Sequence, residues 1–320
     1  MKIGIDAKWF FSGIISGRLF IQNVLPELIA LHPEIEWHVF LNAKEKNMDL
    51  PFKNDHVKVH YVWAGFNMLS NLFVVPRFAK RLNLDAVLFQ TFSPGRKSFK
   101  SVVFVHDVLF NRYPQYFTWK EKLYFKPLKW TVPAADRIIT TTNYVQGELV
   151  RFNYAKNDRS MDIAPSGVTN IFKPLCFHDN ELQKKIKLKF NLPDTYLLFV
   201  GRLNARKNIE NLIESFRFIN DKNICLVIAG EKNRKSSRTD LLLNEEKIRS
   251  KVYFTGCVAD DELCIIYAMA KIFCFPSFAE GMGLPPLEAM ASGIPVVVSN
   301  TTSMPEVCGK AALYADPSDP

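Results

Sequence analysis

The pattern that most constrains this chain is an alternation of short apolar runs with longer amphipathic segments along nearly its whole length. The apolar runs predict strands, and the segments between them have the period of helices. The predicted strands are 2–5, 37–41, 57–63, 86–89, 101–106, 137–140 and 162–164, then 196–200, 224–229, 252–255, 271–275 and 296–298. The predicted helices are 18–31, 69–82, 119–135 and 143–151, then 208–219, 240–250, 260–269 and 286–292. Such alternation indicates α/β architecture, with parallel sheets covered by helices on both faces.

A polar, lysine-rich segment at 170–193 separates the two series of elements. A chain of 320 residues is also long for one doubly wound domain and suits two. We therefore predict two Rossmann-like domains, residues 1–170 and 171–320, that face each other across a central cleft. Ligands of such sheets bind beyond the carboxyl ends of the strands, so site residues are expected directly after strands.

The positive charge of the chain is concentrated in its first half. Residues 1–172 carry 22 basic and 14 acidic side chains, whereas residues 173–320 carry 19 and 18. Segment 112–130 interleaves aromatic with basic residues, which fits contact with an anionic membrane or a lipid-phosphate acceptor. Nucleic acid is a second partner that such a surface fits. A third interpretation is a solvated helix on which the aliphatic stems of lysine and arginine side chains cover buried aromatic rings.

Several classes of protein are disfavoured by the sequence. No apolar run reaches the length of a membrane helix, and the chain opens on a predicted strand rather than on a signal peptide. The six cysteines include no Cys-x-x-Cys pair, which favours a reduced protein over a disulfide framework or a zinc site. We predict a cytoplasmic protein with peripheral contact at the inner face of a membrane.

Segment 276–295 has the strongest functional pattern. It lies between two predicted strands and carries Glu280, Gly281, Gly283 and Glu288 before a predicted helix that starts at Pro286. A helix N-terminus binds anions, and glycines let the backbone approach a ligand closely. Two acids at such a place suggest a ligand with a phosphate and hydroxyls, such as a nucleotide sugar. The alternatives are that Glu288 caps its own helix and that Glu280 is a solvated loop acid.

A cationic turn follows strand 196–200. Arg202, Arg206 and Lys207 precede a helix for which Asn208 is the expected N-cap. Guanidinium and ammonium groups at this end of a sheet can hold a diphosphate, although ordinary surface charge is an alternative.

Two further features follow strands of the first series. His106 ends strand 101–106 and is expected to point into the crevice, or else to be a structural histidine. Gly13 and Gly17 precede the first helix without forming a dinucleotide fingerprint or a Walker loop. They predict close approach of the backbone to a diphosphate or sugar, or simply a flexible turn.

Glu280 and Glu288, with seven residues between them, resemble the Glu-x7-Glu motif of retaining glycosyltransferases of family GT4, which have the GT-B fold. The chain is most similar to members that transfer mannose or related sugars. The matching segments are Ile3–Ala7, Val105–Val108, Ala135–Thr140, Pro165–Val168, Phe199–Arg202, Arg206–Asn208, Phe254–Gly256 and Glu280–Glu288. Relatives normally continue into further helices beyond the position of Pro320, so the resemblance implies that the usual C-terminal helices are lacking.

The resemblance also implies roles for these residues. Arg202 and Lys207 would bind the donor diphosphate, and Glu280 would contact hydroxyls of the donor sugar. Glu288 would bind the ribose, and His106 would lie beside the reacting sugar. The backbone of Gly281, Met282, Gly283 and Leu284 would meet sugar and phosphate, with Gly13 and Gly17 in a loop beneath them. The catalytic group would comprise His106, Arg202, Lys207 and Glu280.

The implied activity is hexosyl transfer from a nucleoside-diphosphate sugar to a glycan, polysaccharide or lipid-linked acceptor, with retention of configuration. The first domain would bind the acceptor and the second the donor, without a metal or other cofactor. GDP-mannose follows from the overall resemblance, and UDP-linked sugars remain open. A non-catalytic nucleotide-sugar-binding protein is the first alternative. A nucleic-acid-binding protein is the second, and it is disfavoured because no recognition motif is present.

Overall fold

The computed structural model describes residues 1–52, 54–63, 65–156, 161–221, 223–230 and 237–319. The chain divides into two compact units, unit 1 (Met1–Gly167) and unit 2 (Val168–Pro320). The sequence placed the boundary between residues 170 and 171. The assignment of acceptor binding to one unit and donor binding to the other stays a prediction.

Unit 1 is built on a seven-stranded parallel sheet in the order β3-β2-β1-β4-β5-β6-β7. Its strands are β1 (Lys2–Asp6), β2 (Glu36–Asn42), β3 (Val57–Val62), β4 (Ala86–Gln90), β5 (Lys100–Val105), β6 (Arg137–Thr140) and β7 (Met161–Ile163). Its helices are α1 (Ile15–Leu31), α2 (Asn67–Leu69), α3 (Val75–Arg81), α4 (Leu109–Arg112), α5 (Trp119–Phe125), α6 (Leu128–Thr131) and α7 (Asn143–Arg151).

Unit 2 is built on a six-stranded parallel sheet in the order β10-β9-β8-β11-β12-β13. Its strands are β8 (Tyr196–Val200), β9 (Cys225–Ala229), β10 (Val252–Gly256), β11 (Ile272–Phe275), β12 (Val296–Ser299) and β13 (Leu313–Ala315). Its helices are α8 (Asn180–Lys189), α9 (Ile209–Ser215), α10 (Ser237–Leu243), α11 (Glu246–Arg249), α12 (Asp260–Met269), α13 (Leu284–Ala291) and α14 (Met304–Cys308).

The predicted α/β class is therefore confirmed, with two Rossmann-like parallel sheets. All five residues of β9 are buried, as expected for a strand whose two faces are covered by helices. Each fully buried aliphatic or aromatic side chain contributes about 1.5–3 kcal/mol of transfer free energy to such a core. The apolar strands were predictable because this burial requires continuous apolar runs.

Prolines divide two segments that the sequence predicted as single helices. The prediction for 69–82 was wrong in detail, because a π-helical stretch at Ser70–Val74 lies between α2 and α3. Pro76, the second residue of α3, cannot donate a backbone hydrogen bond to the preceding turn. Segment 119–135 likewise forms α5 and α6, with Pro127 between them.

Three elements of unit 2 were not predicted, namely helices α8 and α14 and strand β13. Helix α8 lies in the lysine-rich segment that was interpreted as the interdomain break. Its N-cap Asp179 accepts a hydrogen bond from the Leu182 amide, and Ile186 is its buried anchor. Strand β13 has three residues, and such a short edge strand leaves little pattern in the sequence.

Two expectations about the chain as a whole can be compared with the structure. In the described part of the chain, no helix combines the length and apolar character needed to cross a membrane. All six cysteines are free thiols, and Cys225 and Cys274 are buried within strands.

Candidate functional site

Loops after three neighbouring strands of unit 2 meet at a buried carboxylate. The turn after β8 supplies Arg206 and Lys207, the segment after β11 supplies Glu280, and the segment after β12 packs against that segment. Lys207 Nζ donates to Glu280 Oε1 at 2.7 Å, and an Arg206 nitrogen lies 3.0 Å from Oε2. Glu280 is only 6% exposed and Lys207 9% exposed, so neither is an ordinary surface charge.

The charges of this cluster hold one another in the ionised form. Burial alone would raise the pKa of Glu280, but Arg206 and Lys207 outweigh it and lower that pKa to about 2. Burial lowers the pKa of Lys207, and the attraction of Glu280 opposes that shift. The Phe275 ring lies 4.4 Å from Lys207 Nζ and covers one side of the ammonium group. The result is a preorganised pair of opposite charges at the carboxyl end of the sheet.

The backbone around Glu280 is fixed by hydroxyls that the sequence analysis missed. The Glu280 amide donates to Thr302 Oγ1 at 3.0 Å, and Ser303 Oγ donates to the Glu280 carbonyl at 2.9 Å. Arg206 also donates to the carbonyl of Ala279. Their position after a strand could have indicated them, because Thr302 and Ser303 follow β12, the neighbour of β11 in the sheet.

The glycine turn and helix α13 differ from the prediction in their register. Helix α13 begins at Leu284, so Pro286 is its third residue rather than its first, and Glu288 lies in its second turn. Gly283 has φ +77°, and a Cβ there would lie 2.5 Å from Met304 Cε, so glycine is required. Because Pro285 and Pro286 have no N–H, the helix itself offers fewer donors to an anion than the sequence analysis expected.

Glu288 contacts the opposite helix instead of capping its own. The Tyr267 hydroxyl of α12 donates to Glu288 Oε2 at 2.8 Å. Burial raises the pKa of Glu288 to about 7, against the effect of this hydrogen bond. The interpretation of Glu288 as a helix cap is therefore wrong, and its carboxylate can accept hydrogen bonds from a ligand above that pH.

Arg202 and Asn208 flank the cationic turn. Arg202 is exposed, and its side chain forms no ion pair or hydrogen bond with the residues that the structure describes. Asn208 has φ +57° and does not cap α9 through its side chain, contrary to the prediction. Its amide donates to the carbonyls of Pro276 at 2.9 Å and Pro317 at 2.6 Å, which ties the turn to two other loops.

In unit 1, His106 directly follows β5 and packs against two aromatic rings. Its ring centroid lies 4.7 Å from that of Phe104 and 5.9 Å from that of Phe20. Burial lowers its pKa to about 4, so the ring is neutral at physiological pH. His106 Nε2 lies 3.4 Å from Oε1 of Gln90, the last residue of β4.

The two predicted glycines of unit 1 lie against one indole ring. Gly13 has φ +116°, and a Cβ there would lie 2.4 Å from Trp9 Cδ1. Gly17 belongs to the first turn of α1 rather than to a loop, and a Cβ there would lie 2.2 Å from Trp9 Cε3. The close approach that requires glycine is therefore to Trp9, and a ligand role for either residue stays a prediction.

A buried polar cluster beside His106 was also missed by the sequence analysis. Asp6 pairs with the ammonium group of Lys8 and accepts from Asn71 Nδ2 at 2.8 Å. All three side chains are at most 2% exposed. Two charged residues, one at the end of the apolar strand β1 and one just after it, could have indicated this cluster.

These arrangements can bind an anionic, hydroxyl-rich ligand. In unit 2, Arg202 and Lys207 offer positive charge, while Glu280 and Glu288 offer acceptors to hydroxyls. In unit 1, His106 offers a neutral imidazole at the carboxyl end of a strand.

Family models match most of the chain. "Glycosyltransferase Family 4" matches residues 34–168, and "Glycosyl transferases group 1" matches residues 180–320.

Curated relatives are similar over about two thirds of the chain. The O-antigen chain mannosyltransferase B of Escherichia coli is 31% identical over 69% of this chain and 58% of its own length. The O-antigen chain mannosyltransferase RfbU of Salmonella typhimurium is 30% identical over 67% of this chain and 56% of its own length. The chain thus spans a little over half the length of these relatives.

Solved structures share the fold over the entire chain. Sucrose-phosphate synthase from Thermosynechococcus elongatus matches with a TM-score of 0.73 and 19% identity, covering 100% of this chain and 86% of that one. Anabaena HepE in complex with UDP-glucose matches with a TM-score of 0.71 and 15% identity, covering 100% of this chain and 86% of the HepE chain.

The raised pKa of Glu288 predicts a pH-dependent stability difference for Glu288→Gln. A folded-state pKa near 7, above the ordinary 4.5, means that the folded protein binds this proton more tightly than the unfolded chain. The stabilising contribution of Glu288 is therefore complete below pH 4.5 and is lost as pH rises through 7. The neutral amide does not titrate, so we expect the variant to gain stability relative to the unmodified protein between pH 5 and 8. Thermal denaturation across that range measures this difference.

Glu306→Gln on α14 removes the same charge at an exposed position and serves as the control. A stability difference for Glu288→Gln that stays constant with pH would contradict the assignment.

Arg206 is predicted to stabilise unit 2 through Glu280. Arg206→Met removes one cation from a buried carboxylate and one donor from the Ala279 carbonyl. We expect a loss of about 1–3 kcal/mol in the free energy of unfolding, measured by urea denaturation followed by circular dichroism. Arg249→Met, at an exposed position on α11, is the matched control, and equal losses in both variants would refute this prediction.

Proposed function

Because the chain belongs to the family 4 and group 1 glycosyltransferases, with the GT-B fold, we propose that it is a retaining hexosyltransferase that uses a nucleoside-diphosphate sugar. The acceptor is a glycan, a polysaccharide or a lipid-linked saccharide. The observation that carries this proposal is the Lys207–Glu280 pair beside Arg202 and Glu288, within the segment that the group 1 model matches.

The proposed chemistry assigns a role to each charge of this site. The bond between the anomeric carbon and the β-phosphate oxygen breaks toward an oxocarbenium-like state, and negative charge accumulates on the departing diphosphate. Lys207 receives that charge without rearrangement, since Glu280 already fixes it, and Arg202 adds a second positive charge. The departing phosphate takes the proton of the acceptor hydroxyl, so no side-chain base is required.

The hydrogen-bond-accepting side chains of the site are proposed to bind the hydroxyl groups of the donor. Glu280 stays ionised down to about pH 2 and has further lone pairs for hydroxyls of the sugar. Glu288 accepts from the ribose hydroxyls, and His106 contacts the reacting sugar.

We propose mannose as the sugar and GDP-mannose as the donor. The names of the O-antigen relatives, which are mannosyltransferases, support this choice. HepE was solved with UDP-glucose, so UDP-linked sugars are the alternative donors to test.

We propose that the donor diphosphate is neutralised by fixed cations, without a metal ion. Arg202 and Lys207 supply two positive charges at the site. Among the described residues, no group of three or more histidine, cysteine, aspartate or glutamate side chains is placed to hold a metal.

A screen of nucleotide sugars tests the proposed activity. We expect GDP-mannose to raise the melting temperature by mass action and to be consumed in the presence of a mannose-terminated oligosaccharide. Glu280→Ala and Lys207→Ala are expected to lower kcat by about 10²–10³. Chelation with EDTA is expected to leave the rate unchanged. Binding, hydrolysis and transfer are measured by thermal shift and by release of the nucleoside diphosphate.

Lys271→Ala and Glu306→Ala are matched controls, because Lys271 lies at the opposite end of β11 and Glu306 on the surface of α14. Full activity of Glu280→Ala or Lys207→Ala would overturn the proposed site. Tight binding of the donor without turnover would favour a non-catalytic binding protein.

We also propose that unit 1 contacts an anionic membrane surface. On α5, Trp119 is 68% exposed and Leu123 60% exposed, one helical turn apart, and on α6 Trp130 is 65% exposed. Lysines interleave with them at positions 120, 122, 126 and 129. Exposed aromatic side chains beside lysines suit the interface between lipid headgroups and acyl chains.

Vesicle sedimentation tests this membrane contact. We expect binding to vesicles that contain phosphatidylglycerol, weaker binding to purely phosphatidylcholine vesicles, and loss of binding at high salt. Trp119→Ala/Trp130→Ala should bind at least about tenfold more weakly. Phe218→Ala, which removes a 69% exposed ring from unit 2, is the control. Equal binding of both variants would contradict the proposal.

A further inference from the structure

Gln90 connects the buried polar cluster of unit 1 to His106. It is the last residue of β4 and is 1% exposed. Its backbone carbonyl accepts from Asn71 Nδ2 at 3.0 Å. Its side-chain Nε2 donates to the Asp6 carbonyl at 3.2 Å, and its Oε1 lies 3.4 Å from His106 Nε2.

The orientation of the Gln90 amide follows from the chemistry of its neighbours. A backbone carbonyl can only accept, so the NH₂ end of the side chain must face Asp6. The oxygen end must then face His106, where it can only accept. A proton therefore has to lie on His106 Nε2 for this contact to be a hydrogen bond.

The Asp6 anchor is itself rigidly held. Its carboxylate pairs with the Lys8 ammonium group, accepts from Asn71 Nδ2 at 2.8 Å, and lies 3.4 Å from the Gln90 backbone amide. Lys8 Nζ also donates to Asn71 Oδ1 at 2.6 Å. Since buried charges without partners are costly, this closed set of contacts has one favourable arrangement.

Gly17 leaves room for the Gln90 side chain. A Cβ at position 17 would lie 2.8 Å from Gln90 Oε1, closer than ordinary contact. A side chain on the first turn of α1 would displace the amide from His106.

The second ring nitrogen of His106 is left available. Within the part of the chain that the structure describes, His106 Nδ1 makes no hydrogen bond, while the His106 carbonyl accepts from Thr141 Oγ1 at 3.3 Å. A ring protonated on Nε2 has its lone pair on Nδ1. We propose that Gln90 is a positioning residue that holds His106 as the neutral Nε2–H tautomer, so that Nδ1 accepts a hydrogen bond from a sugar hydroxyl.

The charged groups around the ring do not compete with this assignment. Asp6 and Lys8 neutralise each other in a direct pair, and Asp107 Oδ1 accepts from the Leu109 amide at 3.1 Å. Burial keeps the pKa of His106 near 4, so the ring is neutral through the range in which the enzyme would be assayed. The tautomer assignment depends on unit 1 alone, whereas its use by a sugar rests on the proposed function.

Nitrogen NMR of the 320-residue chain labelled at histidine measures the tautomer without any assay of activity. The chain has six histidines, and His106→Asn identifies the signal of His106. We expect the proton of the unmodified protein at pH 7 to reside on Nε2. In Gln90→Leu we expect a mixture of tautomers, and in Gln90→Glu a carboxylate beside Nε2 should raise the pH at which the ring takes up its second proton. A proton on Nδ1 in the unmodified protein, or an unchanged tautomer in Gln90→Leu, would overturn the proposal.

Kinetics test whether the tautomer is used. At saturating donor we expect Gln90→Leu to lower kcat about tenfold, the effect of one hydrogen bond, with a smaller change in KM. Gln90→Glu should lose activity relative to the unmodified protein as pH falls. Gln146→Leu and Gln146→Glu on α7 make the same chemical changes in a helix remote in sequence and serve as controls.

Failure of the proposed function and failure of the proposed role of Gln90 give different results. The expected spectra without transfer activity in the unmodified protein would refute the proposed function and leave the positioning by Gln90 intact. The expected spectra together with full kcat in Gln90→Leu would refute the use of Nδ1 by the sugar.

Discussion

Glu280 is a buried negative charge, and the loops of unit 2 are arranged to compensate it. An uncompensated carboxylate at 6% exposure would cost several kcal/mol. Lys207 and Arg206 supply the opposite charge from the turn after β8, and hydroxyls of the segment after β12 hold the backbone on either side of Glu280. The loops after three strands that are adjacent in the sheet therefore have to meet, although β8 lies far before β11 and β12 in the sequence. The same arrangement that makes the charge tolerable also fixes the groups that a diphosphate and a sugar would contact.

Unit 1 places a buried ion pair at the same end of its own sheet. Asp6 is the last residue of β1 and Lys8 follows it, much as Lys207 and Glu280 follow β8 and β11. In both units an amide or hydroxyl side chain makes a further hydrogen bond to the group. The strands themselves are apolar, so these polar groups lie at the ends of the strands and in the loops that precede the next helices. Both sites are rigid for the same physical reason, since partial satisfaction of a buried polar network is worse than none.

The sequence was sufficient for the parts of the fold that depend on burial. Continuous apolar runs predicted every strand of both sheets except β13, and the position of Lys207 and Glu280 after strands predicted that they lie together in the candidate site. Asn71 was not predictable, because a polar residue in a helical segment has the same pattern whether it faces solvent or an aspartate 65 residues away. Thr302 and Ser303 act through hydrogen bonds to backbone atoms, which have no characteristic spacing in the sequence. Helix boundaries failed at Pro76 and Pro127, where chain geometry outweighs the hydrophobic period.

Helix α13 bears on how positive charge would be supplied to a donor in the proposed site. A helix N-terminus usually binds anions through its free amides, but of Leu284, Pro285 and Pro286 the first alone has an N–H. The prolines also fix the backbone angles of the first turn. Gly283, which precedes this turn, has a left-handed conformation and lies against Met304. The helix contributes its dipole and a rigid start, while hydrogen bonds to a phosphate have to come from side chains and from the preceding turn. In the proposed site, binding of a diphosphate would therefore depend mainly on Arg202 and Lys207. A cation held by Glu280 can meet that demand without reorganisation, which links the buried ion pair directly to the chemistry at the end of the sheet.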